Sequence, residues 1–207
     1  MLSNEQIEKN YEEFITLLRT NITGNFEGLE KLISYLNAKD TKIAPASTKY
    51  HGAYAGGLVR HCLNVYNKLT DLLQLTYGDS QPYTAHTITI VALLHDISKV
   101  DFYEIQERNT KDENGNWIKV PYYQVKDIKH RLIYGSHGAN SVFKVRTFIN
   151  LSYEEELAIL HHMGGFDYTE GVVSTQNISE VFTKSPLALL LHQADRQATF
   201  MMDDINE

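Results

Sequence analysis

The chain has 207 residues, enough for one domain with a real hydrophobic core, and its 43% hydrophobic and 22% charged residues are those of an ordinary globular protein. A net charge of −7 without a dense run of lysine or arginine excludes the basic footprint with which proteins grip long duplex nucleic acid. The single cysteine, Cys62, excludes an internal disulfide; no apolar stretch is long enough to span a bilayer, and the polar start MLSNEQIEKN lacks a signal-peptide core, so a cytoplasmic protein is expected.

Helical periodicity runs through most of the chain. Ser3 and Gln6 form a capping-box pattern ahead of a first helix with Ile7, Tyr11, Phe14 and Leu18 on one stripe. Asn25 starts a second, carrying Phe26, Leu29, Leu32, Ile33 and Leu36, and Ala44–Ser47 reads as a loop. Gly56-Gly57 precede a long third helix with Leu58, Cys62, Val65, Leu69 and Leu72 facing inward. Pro82 and Thr84 introduce a fourth, apolar enough to be buried. From Phe102 to Asp127 the pattern changes: FYEIQERN and WIKVPYYQV alternate around the turn signal KDENGN, which predicts a β-hairpin inserted among helices. A fifth helix is expected from about Gly138 to Asn150, and a sixth from the Ser152/Glu155 capping box to Gly164-Gly165. Residues 166–183 read as a long loop with some local strand. Ser185 and Pro186 then open a seventh and last helix to about Met202.

Polar residues interrupt these apolar faces at only a few places. His61 lies inside the third helix; His95 and Asp96 end the fourth, with Lys99 one turn on. His137 starts the fifth, His161 and His162 end the sixth, and Asp195 lies inside the seventh. A buried imidazole or carboxylate is costly unless paired, hydrogen-bonded or metal-bound, so a site for one or two cations would satisfy the whole set. Imidazole nitrogen and carboxylate oxygen suit Mn, Fe, Co, Ni or Zn better than Ca. Such a metal, held with open positions, acidifies a bound water into a nucleophile, and Asp96 is the candidate bridge between two ions.

The order His61 … His95-Asp96 … Asp195, within HGAYAGGLVRHCLNVYN, ALLHDISKV, SHGANSV, AILHHMGGFD and LHQADRQAT, resembles the HD superfamily of metal-dependent phosphohydrolases. The first block is similar to the HD domain of Gram-positive 3′–5′ exoribonucleases, without the OB domain common there. The whole ordered set, from about Pro45 to Phe200, resembles stand-alone HD hydrolases of Gram-positive bacteria and their phages. The resemblance implies an all-α HD-domain helical bundle with a small inserted hairpin (about 102–127), in which N-terminal helices over 1–43 pack on an HD domain over 44–207. It implies His61, His95, Asp96 and Asp195 as ligands of a first metal, and His137 and His162, with Asp96 shared, as ligands of a second. Asp96 and Lys99 are then the catalytic pair, Lys99 reaching a substrate phosphate or a metal-bound water. One departure is Ala139-Asn140, where related sequences tend to carry a Glu-Lys pair, which puts nearby substrate contacts in doubt.

His51 and His192 are further candidate substrate contacts, with a loop histidine and a satisfied core histidine as the plainer alternatives. His161 is a candidate substrate contact or, in place of His162, the metal ligand, its plainer alternative being a solvated neighbour. His86 and His130 read as surface residues. Cys62 reads as core, because adjacent helical side chains point about 100° apart and it cannot work face to face with His61. The aromatics Phe102, Tyr103, Trp117, Tyr122 and Tyr123 either stack a nucleobase or, the favoured reading, hold the hairpin against the domain. The expected function is hydrolysis of a small-molecule phosphoester, a nucleotide or related substrate, by attack of metal-activated water. The alternatives are a 3′–5′ exonuclease on short single strands and a non-catalytic nucleotide-sensing module; a di-iron oxygenase also exists in the superfamily, but nothing in the sequence selects it.

Overall fold

The computed structural model describes residues 1–131, 135–167 and 175–203. Its elements are α1 (Asn4–Asn21), α2 (Phe26–Ala38), α3 (Gly57–Tyr77), α4 (Ala85–Leu94), β1 (Tyr103–Lys111), β2 (Trp117–Val125), α5 (His137–Arg146), α6 (Tyr153–Leu160), α7 (Thr175–Lys184) and α8 (Pro186–Met201). The protein is mostly helical, with one small antiparallel hairpin. No helix among the described residues is long and apolar enough to cross a membrane.

Local chemistry sets most of the boundaries. Ser3 and Ser152 each accept from the third backbone N–H of the helix they cap while Gln6 and Glu155 reach back, closing two capping boxes. Asn25, Thr84, Ser136 and Ser185 cap α2, α4, α5 and α8 in the simpler way. In the hairpin, Tyr103 pairs with Val125 and Lys111 with Trp117, and between the strands Asp112 accepts from the N–H groups of Asn114 and Asn116.

The core is one continuous apolar cluster to which α1 and α2 contribute alongside α3, α4, α6 and α8. α4 is buried all round, from Ile88 to Leu94, which is why its sequence lacks a polar face. α3 lies against both α4 and α8, while α5 packs on α6. Gly138 makes the last contact possible: a Cβ there would stand 2.4 Å from the Leu160 carbonyl oxygen and 2.6 Å from that of Ile159.

Three expectations need correction. The sixth helix, α6, stops at Leu160, about a turn before Gly164-Gly165, with His161 as its cap and the Gly164 N–H bonding back only three residues, to His161. The stretch expected as loop from 166 to 183 contains a helix, α7, whose Val181 and Phe182 pack against the core. Its threonines, serine and asparagine make it a weak helix former, and burial of its apolar side overrides that preference. The strand expected nearby would fall partly on 168–174, outside the described residues. The fifth helix also stops about a turn early, because Thr147 and Phe148 bond back only three residues, to Lys144 and Val145.

Candidate metal centre

Packing of α3 on α8 sets His61 against Asp195, and the end of α4 delivers His95 and Asp96 to the same point. From the other side, the start of α5 brings His137 and the turn after α6 brings His162. Asp96 sits at the middle, and its two oxygens face different ways. Oδ2 lies 3.7 Å from His61 Nε2, 3.6 Å from His95 Nε2 and 2.6 Å from Lys99 Nζ. Oδ1 bonds His137 Nε2 and lies 3.5 Å from His162 Nε2. His61, His95, Asp96 and His162 are all buried.

Five imidazoles run in a row through this point: His51, His61, His95, His162 and His137, with successive ring centroids 5.0, 5.3, 4.8 and 5.4 Å apart. The three inner ones are held alike from behind. The Nδ1 of His61 meets Asp203 Oδ2 at 2.7 Å, that of His95 the Ala92 carbonyl at 2.8 Å, and that of His162 the Ile159 carbonyl at 2.7 Å. His137 Nδ1 has a looser partner, the Ser98 hydroxyl at 3.4 Å. Carboxylate and carbonyl oxygens only accept, so for His61, His95 and His162 the Nδ1 carries a proton and Nε2 is left to face the centre. His162 Nε2 is buried there with no hydrogen-bond partner.

An orphaned buried nitrogen, with two carboxylates and three further nitrogens aimed at it or beside it, fits a cation. His61 Nε2 is 3.3 Å from His95 Nε2 and 3.1 Å from Asp195 Oδ1, and His95 Nε2 is 4.0 Å from the same oxygen. Ligands bound at about 2.1 Å lie roughly 3.0–3.4 Å from one another, so the spacing suits a common divalent metal with small adjustment. Besides a set of His51, His61 and Asp203, two groups that share Asp96 could each hold an ion, His61 with His95 and Asp96, and Asp96 with His137 and His162.

The ionisation states agree with a charged centre. Burial disfavours Asp96 as an anion, but Lys99 and His137 outweigh it and hold its carboxyl well below the usual range. Asp195 is likewise held low by its bond to His61, against burial. Burial alone would lower His61, yet the bonds to Asp195 and Asp203 push it up to about 10. His95, whose burial is not offset, falls to about 3. A cation entering beside His61 therefore takes the place of a proton.

The centre forms the floor of a cleft of about 740 Å³, reached by Asp96, Lys99, His137 and Asp195 and walled by His51, Tyr103 and residues of α8. His51 is half-buried, and its Nε2 is a second orphaned nitrogen. Of the other sequence candidates, His161 caps α6 and belongs to neither ligand group. His192 does not line the cleft. It stands behind His162, donating from Nδ1 to the His162 carbonyl at 2.7 Å and stacking on Phe182, with Gly164 leaving room for its ring. Cys62 is buried, and burial raises its thiol further. Tyr103 reaches the cleft from the base of the hairpin, whereas Trp117 is exposed at the far end.

Asp203 was not visible as a functional residue in the sequence. Buried beyond the end of α8, it bonds His61 through Oδ2 and accepts from Asn64 Nδ2 through Oδ1 at 2.8 Å, while its carbonyl accepts from Tyr54. Comparison with protein-family models, curated proteins and solved structures gave no match.

Proposed function

We propose that the protein is a metal-dependent phosphohydrolase of HD type acting on a nucleotide or related small phosphoester. The observation that carries this reading is Asp96, whose oxygens address two separate nitrogen groups at the floor of an open cleft. His61, His95, Asp96 and Asp195 would hold a first divalent metal, and His137, His162 and the shared Asp96 a second; the order of these residues along the chain supports the same reading. A metal so held supplies Lewis acidity and an activated water at neutral pH.

The chain's own groups then do three things. Lys99, drawn above its ordinary pKa by Asp96 although burial opposes it, keeps a full positive charge at the cleft for developing charge on a phosphoryl oxygen. Burial lowers His51, leaving a neutral ring able to bond phosphate or water from the cleft wall. At the mouth, Tyr50 and Phe200 are 69% and 70% exposed, with Lys49 and Arg196 lying 5.3 and 4.4 Å from their respective rings. Aromatic faces beside cations suit a nucleobase and its phosphate better than a bare sugar phosphate.

The test is a phosphoester panel, from bis-p-nitrophenyl phosphate through nucleotides to short RNA, run after separate reloading with Mn, Fe, Co, Ni and Zn. We expect turnover with at least one metal, abolished by chelation and by Asp96→Ala. Turnover that survives either treatment, or none on any ester with any metal, overturns the reading.

A further inference from the structure

On the far side of His137 lies a second, smaller cavity of about 230 Å³, so that His137 lines both spaces. Among the described residues its one lining carboxylate is Asp101, already gripped by Lys39 at 2.7 Å and by Lys126. Two further cations, Arg131 and Lys144, line the same space with no carboxylate partner among the described residues. The Lys144 ammonium donates to the Val100 carbonyl at 3.0 Å and lies 5.7 Å from the Tyr35 ring centre. The Arg131 guanidinium lies 5.5 Å from the Phe102 ring, and its Nε is buried with no hydrogen-bond partner.

Several other cations of the protein do have carboxylate partners: Arg19 with Glu30, Lys42 with Glu8 and Arg146 with Glu156. A cation with poor access to water and no counter-ion is costly, and Lys144 records that cost: burial pulls it down to about 8 although Asp101 and Asp40 act in the opposite sense. An anion in the cavity would relieve both groups at once. The space is smaller than the roughly 300–1,000 Å³ of sites that enclose whole drug-sized ligands, so it suits a phosphate group rather than a nucleoside.

We infer that this cavity, through Arg131 and Lys144, binds a non-scissile phosphate of a substrate that carries at least two, its scissile phosphate lying at Asp96. The inference rests on the phosphohydrolase reading for the second phosphate and on the cavity alone for the first. It singles out oligonucleotide-like or bisphosphorylated substrates over simple monophosphates.

Calorimetric titration of chelator-treated, metal-free protein with inorganic pyrophosphate tests the cavity without turnover. Lys144→Gln and Arg131→Gln should each weaken binding about tenfold or more, as expected for losing a charged hydrogen-bond donor. Lys144→Arg should restore most of it, and Lys68→Gln, half-buried on α3 and lining neither cavity, controls for net charge. Binding unchanged in both glutamine variants, or weakened as much by Lys68→Gln, overturns the inference. With metal-loaded enzyme, the ratio of KM for a 5′-phosphorylated dinucleotide to KM for bis-p-nitrophenyl phosphate should rise about tenfold in Lys144→Gln; an unchanged ratio also overturns it. Absence of all turnover would instead count against the phosphohydrolase reading and leave the titration to decide the cavity.

Discussion

His61 reaches the centre with its Nδ1 proton already committed to Asp203, and Asp203 is in turn fixed by Asn64. That arrangement sets the imidazole's orientation and raises its basicity toward a cation, the role outer carboxylates play behind metal-bound histidines. Asp203→Ala should weaken metal affinity about 10–100-fold, read by competition with a chromogenic chelator, while Asp203→Asn, which keeps an acceptor, should lose less. Equal affinity in wild type and Asp203→Ala would deny the residue this role. None of this was legible in the sequence, where Asp203 stands beside Asp204 in a polar stretch and neither looks special. His61, His95, Asp96 and Asp195 were legible because each interrupts an otherwise apolar helical face. His161 and His162 could not be separated, since adjacent residues at a helix end differ only in direction, and direction depends on where the helix stops. Lys144 offers a separate test. Below about pH 8 it is charged in both folded and unfolded chains, and the folded state bears the whole cost of holding it in the cavity. As pH rises from about 8 to the ordinary 10.5, the folded state loses the proton first and the cost fades. In buffer free of phosphate, Lys144→Met should therefore be the more stable protein near neutral pH, with its advantage shrinking toward about pH 9.5 in urea melts. A constant advantage would show that Lys144 is not held charged at a cost.

At the scale of elements, the contact of α5 with α6 decides whether Asp96 has one nitrogen group or two. Gly138 lets the start of α5 lie directly on the Ile159 and Leu160 carbonyls, and so brings His137 within 5.4 Å of His162, ring to ring. Gly138→Ala must push the helices apart and should cost about 1–3 kcal/mol in urea melts. It should also weaken the second cation while leaving the first, since His61, His95 and Asp195 stand on α3, α4 and α8. Unchanged stability would mean that α5 can shift freely. Elements with a strong local signal, such as the capping boxes of α1 and α6 and the Asp112 turn, were read correctly from sequence. α7 was missed because its helix depends on packing of Val181 and Phe182, which no local rule carries.

Across the whole molecule, the acidic chain, net −7, sets beside the centre one small cavity lined by two cations with no carboxylate partner among the described residues. Those cations are scattered in sequence, at 131 and 144, so only the fold reveals them together. The hairpin's extensive contacts are between its own strands, and Trp117 at its end is exposed. Shortening it beyond Tyr103 and Val125 should leave the thermal midpoint nearly unchanged and metal binding intact; loss of the folded state would show that it supports the core. The central claim is that Asp96 is shared between two cation positions, and the number of metal ions per chain tests it most directly. Mass spectrometry of metal-loaded, desalted protein should find two ions in wild type, one in His137→Ala and fewer than one in Asp96→Ala. Two ions retained by Asp96→Ala would contradict it.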